Sequence, residues 1–288
     1  MANILSIQST VLNDLVGNQA ARSILQPRKH SLIEVPTIIL TSHKGQKSSL
    51  QLHSNELNIS KVFANARATY KIKNSDLTII GYLPSKNSTK HITHIIKVQR
   101  NILLDPVIGD IGVGMYVNSE VAKYFQKIFT KTKSLSANFF EWGFLNKKDI
   151  NQYQFSEIVN DLKNFCSKNK STVLIRSIPK ENELINLIAS AKGAWSITTP
   201  EIKFKSRYHG AGDLTTALFA HYLTQKISEK KILENLTNDI FQIISKKSKK
   251  SKRVLGFTHS FVGRPIWTAF FLVIFRAVSS RPRDHPAI

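Results

Sequence analysis

The sequence has few or none of several features that mark particular protein classes. One cysteine, Cys166, occurs in 288 residues, which excludes an internal disulfide framework, and we interpret it as a buried structural side chain. There is no Cys/His cluster with zinc-ligand spacing, no GxxxxGK[ST] loop and no GxGxxG turn after the first apolar run. The N-terminal residues lack a basic stretch followed by a long apolar run, so we expect a cytoplasmic protein without a signal peptide.

Acidic residues are also scarce. The chain has 19 Asp and Glu against 41 Lys and Arg, a formal net charge of +22. Such an excess raises nucleic acid or a membrane surface as partners. The lysines of the main part of the chain are scattered and are not interleaved with aromatic residues. We therefore interpret them as a solvated surface and expect no nucleic-acid partner, although nucleic-acid binding stays open as an alternative.

Short apolar runs alternate with patterns of helical period along the chain. Residues such as Ile158, Leu162 and Phe165 recur at helical spacing, as do Leu214 and Leu218. Continuous apolar runs are typical of strands buried on both faces of a sheet. The alternation predicts an α/β fold with a mostly parallel central sheet flanked by helices. The predicted strands are Ile4–Ile7, Val35–Leu40, Leu77–Ile80, Ile102–Leu104 and Thr172–Ile178.

Polar side chains follow four of these predicted strands. Ser9, His43, Tyr82 and Asp105 each come shortly after an apolar run. Ligands of open α/β sheets bind outside the carboxyl ends of the strands. We therefore expect these four side chains to converge on one small-molecule cleft.

A glycine-rich turn at Gly210 to Asp213 precedes a strong helical pattern. Gly210 and Gly212 permit positive φ and a close approach of the backbone to a ligand. The first turn of the helix offers free N–H groups and the positive end of the helix dipole, which together suit a phosphoryl group. Asp213 could then accept the proton of an attacking hydroxyl. The alternative is that Asp213 only caps the helix.

Six segments together resemble one family. Gly210-Ala211-Gly212-Asp213 resembles the GxGD signature of the ribokinase-like superfamily, and the other segments are similar to those of pyridoxal kinases in the same order along the chain. One of them, Asn3 to Ser9, reads NILSIQS. The remaining four are Val16-Gly17-Asn18-Gln19-Ala20-Ala21, Gly81-Tyr82-Leu83, Asp105-Pro106-Val107-Ile108-Gly109-Asp110 and Asn138-Phe139-Phe140-Glu141.

The resemblance implies a fold, a reaction and a set of residue roles. The fold would be a ribokinase-like three-layer sandwich, and the reaction would be ATP-dependent phosphorylation of the 5′-hydroxyl of pyridoxal. The family commonly needs Mg²⁺, is often helped by a monovalent cation and is usually dimeric. The implied catalytic residues are Asp213, Gly210 and Gly212, and the implied substrate-binding residues are Ser9, His43, Tyr82 and Asp213. The implied ATP-binding residues are Asp105, Glu141, Arg176, Gly210, Ala211 and Gly212, with Asp105 and Glu141 near the metal, largely through water.

Two further functions stay open at this point. Lys44-Gly45 stands where the family has Thr-Gln after its histidine, which keeps a sister activity, phosphorylation of hydroxymethylpyrimidine, in consideration. A non-catalytic descendant that binds ligand without turnover is the alternative from another class. Arg176 aligns with a lysine on the nucleotide side, and the two cations differ in shape and hydrogen bonding.

The C-terminal part of the chain departs from the family. Lys246 to Arg253 holds six basic residues in eight, and Ile266 to Phe275 is about ten apolar residues with one threonine. A bilayer span needs about 20 residues, so we expect no membrane contact by this segment. We predict a kinase domain over residues 1–245 and an atypical, disordered tail over residues 246–288.

Overall fold

The computed structural model describes residues 1–42, 49–52, 57–70, 75–202, 204, 209–250 and 275–277, with the backbone alone for 248–250 and 275–277. Within these residues, a central sheet has nine strands in the order β11-β10-β9-β8-β7-β4-β3-β1-β2, and β5 pairs with β6 in a small second sheet. The strands are β1 Asn3–Val11, β2 Ser31–Leu40, β3 Leu77–Ile80, β4 Ile102–Leu104, β5 Gly109–Asp110, β6 Gly114–Met115, β7 Ser134–Asn138, β8 Thr172–Lys180, β9 Glu183–Ser190, β10 Gly193–Pro200 and β11 Phe275–Ala277.

The central sheet is parallel from β2 through β8 and antiparallel beyond it. β1 pairs in parallel with β2 and β3, and the parallel pairing continues from β3 through β4 and β7 to β8. β8, β9, β10 and β11 then pair antiparallel. The chain begins in β1 and extends the sheet on both sides of it, so β1 and β3 form a topological switch point, where α/β sheets bind ligands.

Helices cover both faces of the sheet. One apolar core packs the five helices from α2 through α6 against one face of the sheet. A second core packs α1, α7 and α8 against the other face. This is the three-layer arrangement predicted from the alternation of strands and helices. The helices are α1 Gly17–Leu25, α2 Ile59–Thr69, α3 Lys86–Val98, α4 Ser119–Ile128, α5 Phe139–Asn146, α6 Phe155–Asn169, α7 Ala211–Leu223 and α8 Glu229–Lys250.

The predicted strands are confirmed. Leu77–Ile80 and Ile102–Leu104 have the predicted bounds, and the other three predicted runs lie inside longer strands. Sequence analysis missed three strands of the central sheet that belong to the main part of the chain, β7, β9 and β10. β7 reads SLSAN, and its small polar residues do not form an apolar run although the strand is buried. β9 and β10 form an antiparallel hairpin in which polar residues interrupt the apolar ones.

The boundary predicted at residue 245 stays a prediction, but two features of the structure bear on it. α8 continues through it to Lys250, and the backbone of Phe275–Ala277 pairs with Trp195–Ile197 at the edge of the sheet. The rest of the predicted tail lies outside the described residues. No helix in the described parts of the chain is long and apolar enough to cross a bilayer.

Candidate active site

The carboxyl ends of the six parallel strands, β1, β2, β3, β4, β7 and β8, border one cavity of about 1030 Å³. Small-molecule pockets typically measure about 300–1000 Å³, so this cavity has room for a nucleotide beside a small ring. The sheet order places Arg176 on β8 at one side and Ser9 on β1 at the other. Nine of the ten predicted site residues line this cavity: Ser9, Tyr82, Asp105, Glu141, Arg176, Gly210, Ala211, Gly212 and Asp213. The tenth, His43, lies outside the described residues.

The start of α7 brings the GxGD segment to the middle of the cavity. α7 packs between α1, which covers β1, and α8, which covers β9 and β10. Gly210 is the N-cap and has φ 90°, a left-handed conformation that L side chains rarely adopt. A Cβ atom at Gly210 would collide with the carbonyl oxygen of Leu15. This position therefore requires glycine, and the first-turn N–H groups that follow it have no acceptor within the helix.

Asp213 is the third residue of α7, so the alternative that it is the helix N-cap is wrong. Burial raises the pKa of its carboxyl to about 7, and the negative charge of Asp105 adds to this effect. A hydrogen bond from the backbone N–H of Gly17 and the positive charge of Arg176 oppose it. A carboxylate whose pKa lies near neutral pH suits general base catalysis, because it can both accept and release a proton there.

Arg176 joins two buried carboxylates on the opposite side of the α7 terminus. Its Nη2 atom lies 2.9 Å from Oδ1 of Asp105 and 3.4 Å from Oε2 of Glu141. The same atom donates to the carbonyl oxygen of Ser136 at 3.3 Å. The side chains of Arg176, Asp105 and Glu141 are 7%, 2% and 3% exposed. These ion pairs are therefore shielded from solvent, unlike those on the protein surface.

Burial changes the acid–base behaviour of the whole cluster. It raises the pKa of Asp105, against the opposing effects of Arg176 and of the Thr216 hydroxyl. It also raises the pKa of Glu141 to about 8, with Arg176 again opposing and Asp105 adding to the rise. Burial by itself would lower the pKa of Arg176, but the two carboxylates hold it above the ordinary value. The guanidinium is therefore the fixed charge of the cluster.

Glu141 also has a local structural role. Its Oε2 atom accepts from the backbone N–H of Asn138 at 2.8 Å, and Oε1 accepts from Ile108 at 3.2 Å. The Asn138 side chain in turn accepts from the Glu141 N–H, which completes a capping box at the start of α5. Glu141 thus ties the loop after β4 to α5.

The surroundings of Asp105 and Glu141 bear on whether these two residues can bind a magnesium ion directly. Mg²⁺ takes a near-octahedral shell that keeps several waters. Both carboxylates of Asp105 and Glu141 already contact the guanidinium of Arg176. Within the described residues, no group of three or more His, Cys, Asp or Glu side chains converges to hold a metal ion. A metal bound directly by both carboxylates therefore does not fit beside Arg176. The expected contact of Asp105 and Glu141 with Mg²⁺ through water stays a prediction.

On the opposite side of the cavity, the described residues at the ends of β1, β2 and β3 are uncharged. Ser9 is buried near the end of β1, and Tyr82 follows β3. The carbonyl oxygen of Tyr82 accepts a hydrogen bond from the Thr37 hydroxyl at 2.8 Å, which fixes the backbone of this segment. Val11 and Leu40 add apolar surface. A small aromatic alcohol could be held here by hydrogen bonds and shape.

Sequence analysis missed Thr216. Its hydroxyl donates to Oδ2 of Asp105 at 2.6 Å and lies 3.0 Å from Oγ of Ser136. Thr216 stands three residues after Asp213, so both side chains lie on one face of α7. This helical spacing was the signal that could have identified it.

Known proteins that resemble this chain include pyridoxal kinases. A pyridoxal kinase PdxY from Actinobacillus succinogenes is 23% identical over 274 residues, which cover 90% of this chain and 95% of the relative. The solved pyridoxal kinase from Entamoeba histolytica has a TM-score of 0.75 at 21% identity and covers 85% of this chain and 90% of its own. The Leishmania donovani pyridoxal kinase, solved in complex with ADP and pyridoxamine, has a TM-score of 0.72 at 19% identity, covering 86% and 88%.

These likenesses show the fold, a mostly parallel sheet flanked by helices as in pyridoxal kinases, and confirm the ribokinase-like sandwich predicted from the sequence. The model of the phosphomethylpyrimidine kinase family matches residues 34–253. That match spans most of the 288 residues and both the Asp105 and Asp213 segments. The chain belongs to the phosphomethylpyrimidine kinase family.

Proposed function

We propose that this chain transfers the γ-phosphoryl group of ATP to the 5′-hydroxyl of pyridoxal, giving pyridoxal 5′-phosphate and ADP. The observation that carries the proposal is the position of Asp213 in the first turn of α7. There its carboxyl, with a pKa of about 7, adjoins first-turn backbone N–H groups that have no acceptor within the helix. Relatives named pyridoxal kinase and a relative solved with ADP and pyridoxamine support this choice of substrates.

In this proposal each side of the cavity has one task. Ser9 and Tyr82 hold the pyridine ring, and His43 is expected beside them. Asp213 accepts the proton of the 5′-hydroxyl while the oxygen of that hydroxyl forms a bond to the γ-phosphorus. The bond from that phosphorus to the β,γ-bridging oxygen breaks, and ADP leaves with the bond electrons.

The phosphate groups lie at the start of α7 in the same proposal. Backbone N–H groups of Gly210, Ala211 and Gly212 stabilise the charge that the transferring group carries, because they are already oriented when the reaction begins. Arg176 packs against this turn at Gly212 and pairs with Asp105 and Glu141. Mg²⁺, when bound with the nucleotide, supplies further charge neutralisation. A monovalent cation, a homodimer and a cytoplasmic location stay predictions.

Phosphorylation of hydroxymethylpyrimidine is the second candidate, favoured by the match to the phosphomethylpyrimidine kinase family. Both alcohols offer a primary hydroxyl on a small aromatic ring, so the base and the anion site serve either reaction. The neutral side of the cavity then decides between them.

One experiment compares the two substrates. The purified full-length chain is incubated with ATP, Mg²⁺ and either alcohol, and the phosphorylated product is identified by mass spectrometry. Asp213→Asn, purified in parallel, controls for contaminating host kinases, and Asp149→Asn, at an exposed turn outside the cavity, controls for the loss of an acid. We expect a higher kcat/KM with pyridoxal. Higher turnover of the pyrimidine would establish the second candidate, and no turnover of either alcohol by folded protein would contradict the proposal.

A further inference from the structure

The guanidinium of Arg176 lies where two acidic side chains of the cavity meet. Asp105 follows β4, Glu141 lies in α5 and Arg176 lies on β8, so three separate elements contribute to the contact. The residues are 71 and 35 positions apart in sequence from Arg176. The cluster is therefore a product of the fold.

Arg176 also supports the start of α7. A Cβ atom at Gly212 would lie 2.7 Å from Nη1 of Arg176, so the guanidinium packs against the first turn of the helix. The Thr216 hydroxyl, one turn along, donates to the same Asp105 that accepts from Nη2. The cation is thus held by Asp105 and Glu141 on one side and faces the anion-binding turn on the other.

The size and charge of the guanidinium decide what else can bind there. Arginine stays protonated at all ordinary pH values, and a second cation within a few ångströms would be repelled in this buried setting. Separating Arg176 from its two carboxylates would leave buried charges without partners, which is costly. A divalent ion can reach both carboxylates only by displacing the side chain.

We propose that Arg176 is a built-in counter-ion that occupies the place of a divalent cation between Asp105 and Glu141. In the free chain these carboxylates bind the arginine and no metal, and divalent metal enters the cavity only with the nucleotide. Arg176 is a positioning residue, which holds the two acids and supports the phosphate-binding turn of α7. The inference concerns metal binding by the free chain and is independent of the proposed reaction.

The test measures Mn²⁺ binding to the full-length chain without nucleotide, from the loss of the free-ion signal in electron paramagnetic resonance. Five proteins are compared: wild type, Arg176→Gln, Arg176→Lys, Asp105→Asn and the double variant Arg176→Gln/Asp105→Asn. We expect weak, non-saturating binding by the wild type and by Arg176→Lys. Arg176→Gln should bind one Mn²⁺ at least about tenfold more tightly, because the repelling cation is gone, and the double variant should lose this site.

Circular dichroism and thermal unfolding show which variants are folded. If Arg176→Gln does not fold, the comparison of wild type with Asp105→Asn still decides the matter, because the proposal requires that both bind Mn²⁺ equally weakly. Stoichiometric Mn²⁺ binding by the wild type that Asp105→Asn abolishes would overturn the proposal. A folded Arg176→Gln with no gain in affinity would also overturn it. Neither result depends on whether pyridoxal is the substrate.

Discussion

The two sides of the cavity differ in charge and in the interactions that they offer a ligand. Ser9 and Tyr82, on the side of β1 and β3, offer uncharged hydrogen-bonding groups beside apolar Val11 and Leu40. On the other side, Asp105, Glu141 and Arg176 form buried ion pairs next to Asp213. The neutral side suits recognition of a ring, and the charged side suits the movement of charge. Changes on the charged side should therefore affect folding and kcat, and those on the neutral side should affect KM.

The largest effect is expected from breaking the buried ion pairs. Arg176→Met leaves two buried carboxylates without their cation, which typically lowers the free energy of unfolding by about 3–5 kcal/mol. Arg22→Met is the matched control, because Arg22 makes a two-point contact with Glu34 while its side chain is 52% exposed. Such a surface pair contributes about 0–1 kcal/mol. Urea unfolding measures both, and equal losses would show that burial does not distinguish the two pairs.

A methyl group at the N-cap of α7 should have the next largest effect. Gly210→Ala places a Cβ atom against the Leu15 carbonyl at a residue with φ 90°. A shift of about 1 Å in the catalytic turn can lower kcat by about 100-fold. Gly112→Ala is the control, because Gly112 has φ 74° but open space around its Cβ position. Steady-state kinetics should show normal turnover for Gly112→Ala, and similar losses in both variants would attribute the effect to backbone strain alone.

The pH dependence of turnover should follow Asp213. Its folded pKa is raised to about 7, so the carboxyl is protonated below that pH and cannot accept the hydroxyl proton. We expect kcat/KM to fall about tenfold per pH unit below pH 7 and to level off above it. Glu141, with a pKa of about 8, titrates nearby, so Glu141→Gln is measured as well. If the inflection of the kcat/KM profile moves to another pH in Glu141→Gln, the pH dependence would be assigned to Glu141 instead.

The smallest effect is expected on the neutral side. Ser9→Ala removes one hydrogen-bonding hydroxyl, and a neutral hydrogen bond contributes about 0.5–1.5 kcal/mol, which corresponds to a rise in KM for pyridoxal of about 2- to 12-fold. The KM for ATP and kcat should stay near the wild-type values. Initial-rate measurements with each substrate varied in turn separate these quantities. A fall in kcat with unchanged KM would place Ser9 on the side of the chemistry.

Local patterns in the sequence predicted five strands of the central sheet and the polar residues that follow them, whereas Glu141 and Arg176 were expected from the family resemblance. Leu77–Ile80 and Ile102–Leu104 are continuous apolar runs, and their polar followers Tyr82 and Asp105 reach the same cavity. β7 escaped prediction because Ser134 and Ser136 are buried polar residues of a strand. Such residues are satisfied by tertiary partners that no local pattern reveals.

The contacts within the site could not be predicted in the same way. Arg176 was expected to bind ATP through a family resemblance, but its ion pairs with Asp105 and Glu141 join residues that are distant in sequence. The exact pairing depends on which strands are neighbours in the sheet. Helical spacing from Asp213 could have identified Thr216 as a site residue. Its hydrogen bond to Asp105 could not have been predicted, because that bond links α7 to the loop after β4.

The most direct test of the difference between the charged and the neutral side of the cavity measures ligand binding and turnover separately in Asp213→Asn. Isothermal titration gives the Kd values for pyridoxal and for a non-hydrolysable ATP analogue, and a single-turnover assay gives the rate of phosphoryl transfer. The account predicts that the rate falls by about 10²- to 10⁴-fold, the usual contribution of a general base, while both Kd values stay close to those of the wild type. Retained turnover would contradict the assignment of Asp213 as the base, and loss of ligand binding together with turnover would assign it a structural role.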